Sequence, residues 1–141
     1  MGNNNYTATV EVEKSPTDVF KQVIDVSKWF SDEFEGKSSK LNDEFIIRAG
    51  DLHYSKHKLI EVIPNKKVVW LIIESKVDWL KKNKEEWTGT KMVFEIIPKG
   101  KKTTLIFTHE GLVPGLECYK NCKKGWDHFI KTKLAENINT G

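Results

Sequence analysis

The stretch Met92-Val93-Phe94-Glu95-Ile96-Ile97-Pro98-Lys99-Gly100-Lys101-Lys102-Thr103-Thr104-Leu105-Ile106-Phe107-Thr108-His109 decides the fold. Met92, Phe94 and Ile96 make one inward row, and Leu105, Phe107 and His109 make another. Both have the period of two that a strand buried on one face requires. Pro98-Lys99-Gly100-Lys101 supplies the turn between them, so the two strands pair antiparallel. A sheet with one apolar face needs a second apolar surface to cover it. That surface lies downstream. After Pro114-Gly115 the period becomes helical, and Tyr119, Cys122, Trp126, Phe129, Ile130 and Leu134 share one face of a long helix. The lysines at 120, 123, 124, 131 and 133 mostly face solvent.

Upstream of the hairpin, from Asp43 onward, the pattern is strand after strand. Phe45, Ile47 and Ala49 alternate with Glu44 and Arg48; Tyr54 to Ile63 continues without a clear inner face. Pro64-Asn65-Lys66 marks a turn, and Val68 to Ser75 is an almost wholly apolar strand. Near the start of the chain, Tyr6, Ala8, Val10 and Val12 alternate with Thr7, Thr9, Glu11 and Glu13. Ser15-Pro16-Thr17-Asp18 then reads as a capped helix start, with Pro16 at the first helical position. Val19, Phe20, Val23 and Ile24 share one face of that helix. Ser27 caps a second short turn carrying Trp29 and Phe30. Val77 to Thr88 is a polar connection holding Trp79, Leu80 and Trp87 beside Lys81-Lys82-Asn83-Lys84; these aromatics either fold over the sheet edge or cover an opening.

The sum is an α+β domain spanning residues 1–141: a curved antiparallel sheet of about six strands, two short helices after the first strand, and a long C-terminal helix. Twist curves such a sheet around the helix. The space left between them is lined by aromatics, of which the 141 residues include five Trp and seven Phe. An unrelieved void of ~300 Å³ would forgo about 7 kcal/mol at ~24 cal/mol per Å³. That rivals a whole domain's stability of roughly 5–15 kcal/mol. Such a space therefore holds water or a ligand, or side chains have shrunk it.

Charge excludes some functions. The net charge is only +3, and of the 23 cationic residues Arg48 alone is arginine. The guanidinium forks favoured for phosphate are nearly absent, so no nucleic-acid partner is expected. No run reaches the ~20 apolar residues that cross a bilayer, and no signal peptide opens the chain. Cys118 and Cys122 fit free thiols in a reducing compartment, which makes the cytoplasm the expected location. No glycine-rich phosphate loop or serine elbow occurs, and no cofactor is expected.

Several segments together resemble a family. They are Val10-Glu11-Val12-Glu13-Lys14-Ser15-Pro16, Val19-Phe20 with Trp29-Phe30, Leu59-Ile60-Glu61-Val62-Ile63-Pro64 and Val68-Val69-Trp70. Downstream come Trp87-Thr88-Gly89-Thr90, Thr103-Thr104-Leu105, Thr108-His109-Glu110-Gly111-Leu112 and Gly125-Trp126. Their order and spacing, over almost the whole chain, resemble the START and birch-pollen-allergen superfamily with its helix-grip fold, also called SRPBCC. Within it they resemble the bacterial homologues of the activator of the heat-shock-protein-90 ATPase. A fuller signature of one subgroup is similar to His109-Glu110-Gly111-Leu112-Val113-Pro114 through Cys118-Tyr119 and Cys122. The resemblance implies a cavity and no shared reaction, since its members include hydrophobic-ligand carriers, cyclase-like enzymes and co-chaperone domains.

The candidate cavity residues are Trp29, Phe45, Trp70, Ile72, Met92, Phe94, Phe107, His109, Tyr119, Cys122, Trp126 and Ile130. His109 reads either as a polar group that orients a ligand or as a structural histidine bonded to a backbone carbonyl where strand meets loop. Cys118 and Cys122, four apart, share one helix face, where they pack as small apolar groups or, with further ligands or strain, bind a metal or cross-link under oxidation. His53 and His57, also four apart, would look like a metal pair on a helix; on a strand they stand ~13 Å apart and no metal is expected. A monomer binding a small hydrophobic, aromatic or lipid-like ligand is the expected function, with a chaperone partner as the alternative. Catalysis by His109 ranks last, because no second catalytic partner is assignable.

Overall fold

The computed structural model describes residues 5–30, 33–49, 53–77, 81, 85, 87–112 and 119–140. Alternation at the start of the chain produces strand β1 (Tyr6–Val12), with Tyr6, Ala8 and Val12 buried. Helix α1 (Pro16–Ile24) opens as the cap signal requires: Ser15 Oγ accepts the Asp18 N–H at 3.2 Å, with Pro16 in the first turn. Its buried side chains are Val19 and Val23. Helix α2 (Val26–Trp29) follows after one residue, and Ser27 is not its cap. Asp25 precedes it instead, donating its backbone N–H to Gln22 O at 3.2 Å, so the end of one helix serves as the start of the next.

The remaining strands are β2 (Phe34–Gly36), β3 (Glu44–Ala49), β4 (His53–Ile63), β5 (Lys67–Val77), β6 (Lys91–Lys99) and β7 (Lys102–Glu110). They form one antiparallel sheet in the order β1-β7-β6-β5-β4-β3-β2. Among the described residues the count is seven where the sequence predicts about six. The added member, β2, is three residues long, too short for alternation to show. Two irregularities in the β4–β5 ladder explain why the faces there are hard to read. Pairing steps from Lys56↔Glu74 to His57↔Ile72, and from Leu59↔Trp70 to Glu61↔Val69. One extra residue therefore sits at Ile73 in β5 and another at Ile60 in β4, and each switches which parity of residue faces inward. Along β5 the buried row is Val68, Trp70 and Ile72, then Ser75 and Val77.

The last helix runs as α3 (Tyr119–Trp126), a π-helical segment (Asp127–Leu134) and α4 (Ala135–Thr140). Trp126 and Ala135 at the junctions keep right-handed helical dihedrals, so the axis is continuous. The π segment has a packing consequence. Trp126, Ile130, Leu134 and Ile138 are all buried, at successive spacings of four. In an α-helix each step of four overshoots a full turn by about 40°; in the wider π turn the same step falls short of one, so the two kinds of step offset each other and the row stays aimed at the sheet. Against it lie Trp70, Phe94 and Phe107, with ring centroids 4.8 Å apart for Trp70–Phe94, 5.0 Å for Phe94–Phe107 and 4.6 Å for Phe107–Trp126. Burying side chains of this size contributes roughly 1.5–3 kcal/mol each. This is the helix-grip arrangement, α+β, with the sheet wrapped around the final helix.

Candidate functional site

A cavity of about 230 Å³, partly open to solvent, lies between the last helix and the β3–β4 end of the sheet. Phe30, following α2, closes one wall; Ile47 and Arg48 of β3 and His53 of β4 form another. Trp87, from the β5–β6 connection, forms a third, and the helix contributes Cys122, Gly125, Trp126 and Phe129. Trp87 reaches this position because a tight turn holds it. Its carbonyl accepts from Thr90 N at 3.0 Å and from Thr90 Oγ1 at 2.6 Å, and the strand beyond is pinned by Gly89 N to Ile72 O at 2.8 Å. Trp87 then stacks on Trp126, centroids 6.0 Å apart and 14° from parallel, and lies 5 % exposed. Gly125 leaves its part of the helix wall bare, for a Cβ placed there would meet nothing within 4 Å.

Arg48 is the lining residue with a full charge. Its guanidinium is 3.1 Å from Glu35 Oε2 and lies over the Tyr54 ring at 5.4 Å. His53 is the other polar lining group. Its Nε2 is 3.0 Å from Ser55 Oγ, and that hydroxyl is 2.8 Å from Nε2 of His57 on the same strand. The His53 ring meets Trp87 edge to face at 4.9 Å. Burial lowers the His53 pKa to about 4 and holds His57 well below the usual histidine value, so both rings are neutral near pH 7.

His109 is fully buried, and both of its nitrogens are engaged. Nδ1 accepts the Trp126 indole N–H at 3.0 Å, and Nε2 is 2.8 Å from Thr90 Oγ1. The Thr90 hydroxyl spends its hydrogen on Trp87 O, so it accepts from His109 Nε2–H. One tautomer satisfies every group. Burial lowers the His109 pKa to about 3. Its partners are thus two side chains and not the backbone carbonyl expected from the sequence.

Of the twelve sequence-designated residues, Cys122 and Trp126 line the cavity. Trp29, Phe45, Trp70, Ile72, Met92, Phe94, Phe107, His109 and Ile130 lie beside it in the packed interior, each at most 2 % exposed. Tyr119 is half-buried against that core. The reason is that facing inward does not separate core from wall; the aromatics fill the middle of the sheet and leave room only toward one end. Phe30 and Phe129 line the cavity too, the first from the turn it shares with Trp29 and the second from the apolar row of the last helix, whereas no sequence pattern selects His53. Trp87 carried a signal, as an aromatic stranded in a polar connection. Trp79, Leu80, Lys82, Lys84 and Cys118 lie outside the described residues. Cys122 is disulfide-bonded, which corrects the expectation of free thiols and removes the cysteines as an argument for a reducing compartment. Among the described residues no group of three or more His, Cys, Asp or Glu is placed to hold a metal ion, and no helix is long and apolar enough to cross a membrane.

A family model described as "Activator of Hsp90 ATPase homolog 1-like protein" matches residues 15–139. The sequence matches none of the curated proteins with which it was compared. Among solved structures, the Aha1 dimer from Colwellia psychrerythraea is similar at a TM-score of 0.75 and 19% identity, over 97% of both chains. Protein MLL2253 from Mesorhizobium loti is similar at 0.71 and 18%, over 93% of this chain and 95% of that one. Bacillus halodurans protein BH1534 is similar at 0.69 and 12%, over 96% of both. At these identities the likeness shows the fold.

Proposed function

The chain belongs to the Activator of Hsp90 ATPase homolog 1-like family, and from that membership we propose that it is a binding module for a small, flat, mostly apolar ligand held between Phe30, Trp87, Trp126 and Phe129. The observation that carries this reading is the bare wall at Gly125. A helix that only had to cover the sheet would gain about 1 kcal/mol from alanine at that position, and the space in front of it is open. An apolar cavity of about 150 Å³ accepts benzene, so about 230 Å³ has room for a ligand somewhat larger than one ring. Ligands gain at most about 0.3–1.5 kcal/mol per heavy atom, so one of about nine heavy atoms has a span of roughly 3–13 kcal/mol that includes micromolar affinity, about 8 kcal/mol. Titrating an apolar fluorescent probe while following tryptophan emission tests the proposal. Saturable quenching that is lost in Gly125→Leu supports it; linear, non-saturable quenching that is unchanged in the variant rules it out.

Family membership also favours a second reading, a co-chaperone that modulates a heat-shock-protein ATPase. The lysines at 81, 123, 124, 131 and 133 are exposed and offer an acidic partner a basic surface. Turnover of the organism's own heat-shock ATPase, measured with saturating protein, decides this; unchanged turnover removes it. Acid–base catalysis by His109 gains no support, because neither ring nitrogen is free. Cytoplasmic residence and a monomeric state belong to the binding-module reading, and light scattering on the purified chain tests the second.

A further inference from the structure

The polar corner that His53 gives the cavity has a direction built into it. Ser55 is fully buried between two histidine nitrogens, His53 Nε2 at 3.0 Å and His57 Nε2 at 2.8 Å. At the far end of this chain, His57 Nδ1 is buried with no hydrogen-bond partner, and so is the indole N–H of Trp70, whose ring meets that of His57 edge to face at 5.4 Å. A buried N–H without a partner is among the rarest defects in folded proteins and a bare acceptor is better tolerated; a proton on His57 Nδ1 would set a second such N–H beside that of Trp70. His57 therefore carries its proton on Nε2, where Ser55 receives it, and leaves Nδ1 as a lone pair. The Ser55 hydroxyl then has one acceptor left for its own hydrogen, His53 Nε2. With Nε2 accepting, the neutral His53 ring carries its proton on Nδ1. No hydrogen bond to that Nδ1 exists within the described residues, and His53 lines the cavity.

We propose that His57, Ser55 and His53 form a directional hydrogen-bond relay that presents the Nδ1–H of His53 to the cavity, so that the preferred ligands are aromatic compounds carrying one hydrogen-bond acceptor, of the aryl-carbonyl class. The ligand class rests on the reading of this cavity as a binding site; the relay does not. A ligand whose polar group only donates meets a second donor there and leaves both unpaired. The irregularity in the β4–β5 ladder between Lys56 and His57 falls within this motif, where ladder breaks serve to re-aim side chains.

Two measurements test this. Long-range proton–nitrogen NMR of the imidazole rings near neutral pH reads the tautomers in the unmodified protein. Nδ1–H for His53 with Nε2–H for His57 is expected; the reverse pair overturns the relay. Acetophenone, isopropylbenzene and indole have equal heavy-atom counts and present an acceptor, no polar group and a donor respectively. In His53→Phe, acetophenone should lose about three- to tenfold in affinity relative to isopropylbenzene, the worth of one hydrogen bond. In Ser55→Ala, which leaves the cavity wall untouched, the His53 ring is freed to take either tautomer, and the acetophenone-to-indole preference should shrink. Affinities that change in parallel for all three compounds overturn the ligand class while leaving the cavity as a binding site. Failure of all three to bind the unmodified protein overturns the binding-module reading and the ligand class together, and the tautomer spectrum still decides the relay.

Discussion

The indole N–H of Trp126 is donated to Nδ1 of His109 across 3.0 Å, tying the last helix to strand β7 through two fully or nearly buried side chains. The same bond sets the tautomer that lets His109 reach Thr90, and Thr90 in turn holds the turn that carries Trp87. Helix, sheet and cavity wall are therefore one connected unit. Trp126→Phe removes the donor and strands a buried acceptor. A loss of about 1–3 kcal/mol is expected, beyond what the smaller ring costs in packing. Urea unfolding measures it, and a change below about 0.5 kcal/mol would show that the bond is not a structural tie.

Acid should unfold this protein early. His53 and His109 have folded-state pKa values lowered to about 4 and about 3, and burial holds His57 well below its ordinary value, while each returns to about 6.5 when unfolded. The unfolded chain thus binds more protons than the native one below pH 6.5, so stability rises with pH through the window from about 3 to 6.5 and is fully present above it. Each histidine contributes on the order of 1 kcal/mol per pH unit inside that window. Stability measured by urea at a series of pH values checks this. A flat profile from pH 7 to 5 contradicts it, and His53→Gln should make the slope shallower by about one proton.

Much of this architecture is legible in the residues, and the unread parts have specific causes. The β6–β7 hairpin and β1 keep strict alternation, so their inner rows are visible as Met92, Phe94 and Ile96, as Leu105, Phe107 and His109, and as Tyr6, Ala8 and Val12. In β4 and β5 the extra residues at Ile60 and Ile73 change parity mid-strand, which no alternation rule anticipates. The helix reads correctly to Leu134 by α-helical spacing, and across the π segment Ile138 joins the same buried row. The cavity is the least legible feature. Periodicity tells which side chains face inward and is silent on where the interior stays unfilled; Gly125 and Trp87, the residues that keep and cover that space, lie outside any apolar row. Strand spacing puts His53 and His57 ~13 Å apart, yet both rings reach one Ser55 hydroxyl, at 3.0 and 2.8 Å, a convergence that backbone spacing hides.

The continuous four-spaced row on the last helix makes its own prediction. Ile138 is 1 % exposed near the end of the chain, where fraying would make truncation harmless. If the π segment serves to hold the row against the sheet, Ile138→Ala should cost about 2–5 kcal/mol, as in any packed core. Thermal melting measures this, and a shift of only a degree or so would mean the helix end is not docked.

Gly125 separates stability from binding. Gly125→Ala should raise stability by about 1 kcal/mol through helix propensity, because the added methyl meets nothing. Gly125→Leu should fold as well as the unmodified protein and close the cavity. Calorimetric melts of both variants check the first statement; a variant that melts lower than the unmodified protein would show that the wall is tighter than its geometry indicates.

The most direct test of the central claim is an NMR titration with an apolar aromatic probe, following the five tryptophan indole N–H signals. The signals of Trp87 and Trp126 should move together and saturate, while that of Trp70, sealed in the core, should stay within noise. Movement of Trp70 alone, or no movement of any indole up to the probe's solubility limit, would contradict a ligand seated between the β5–β6 connection and the last helix.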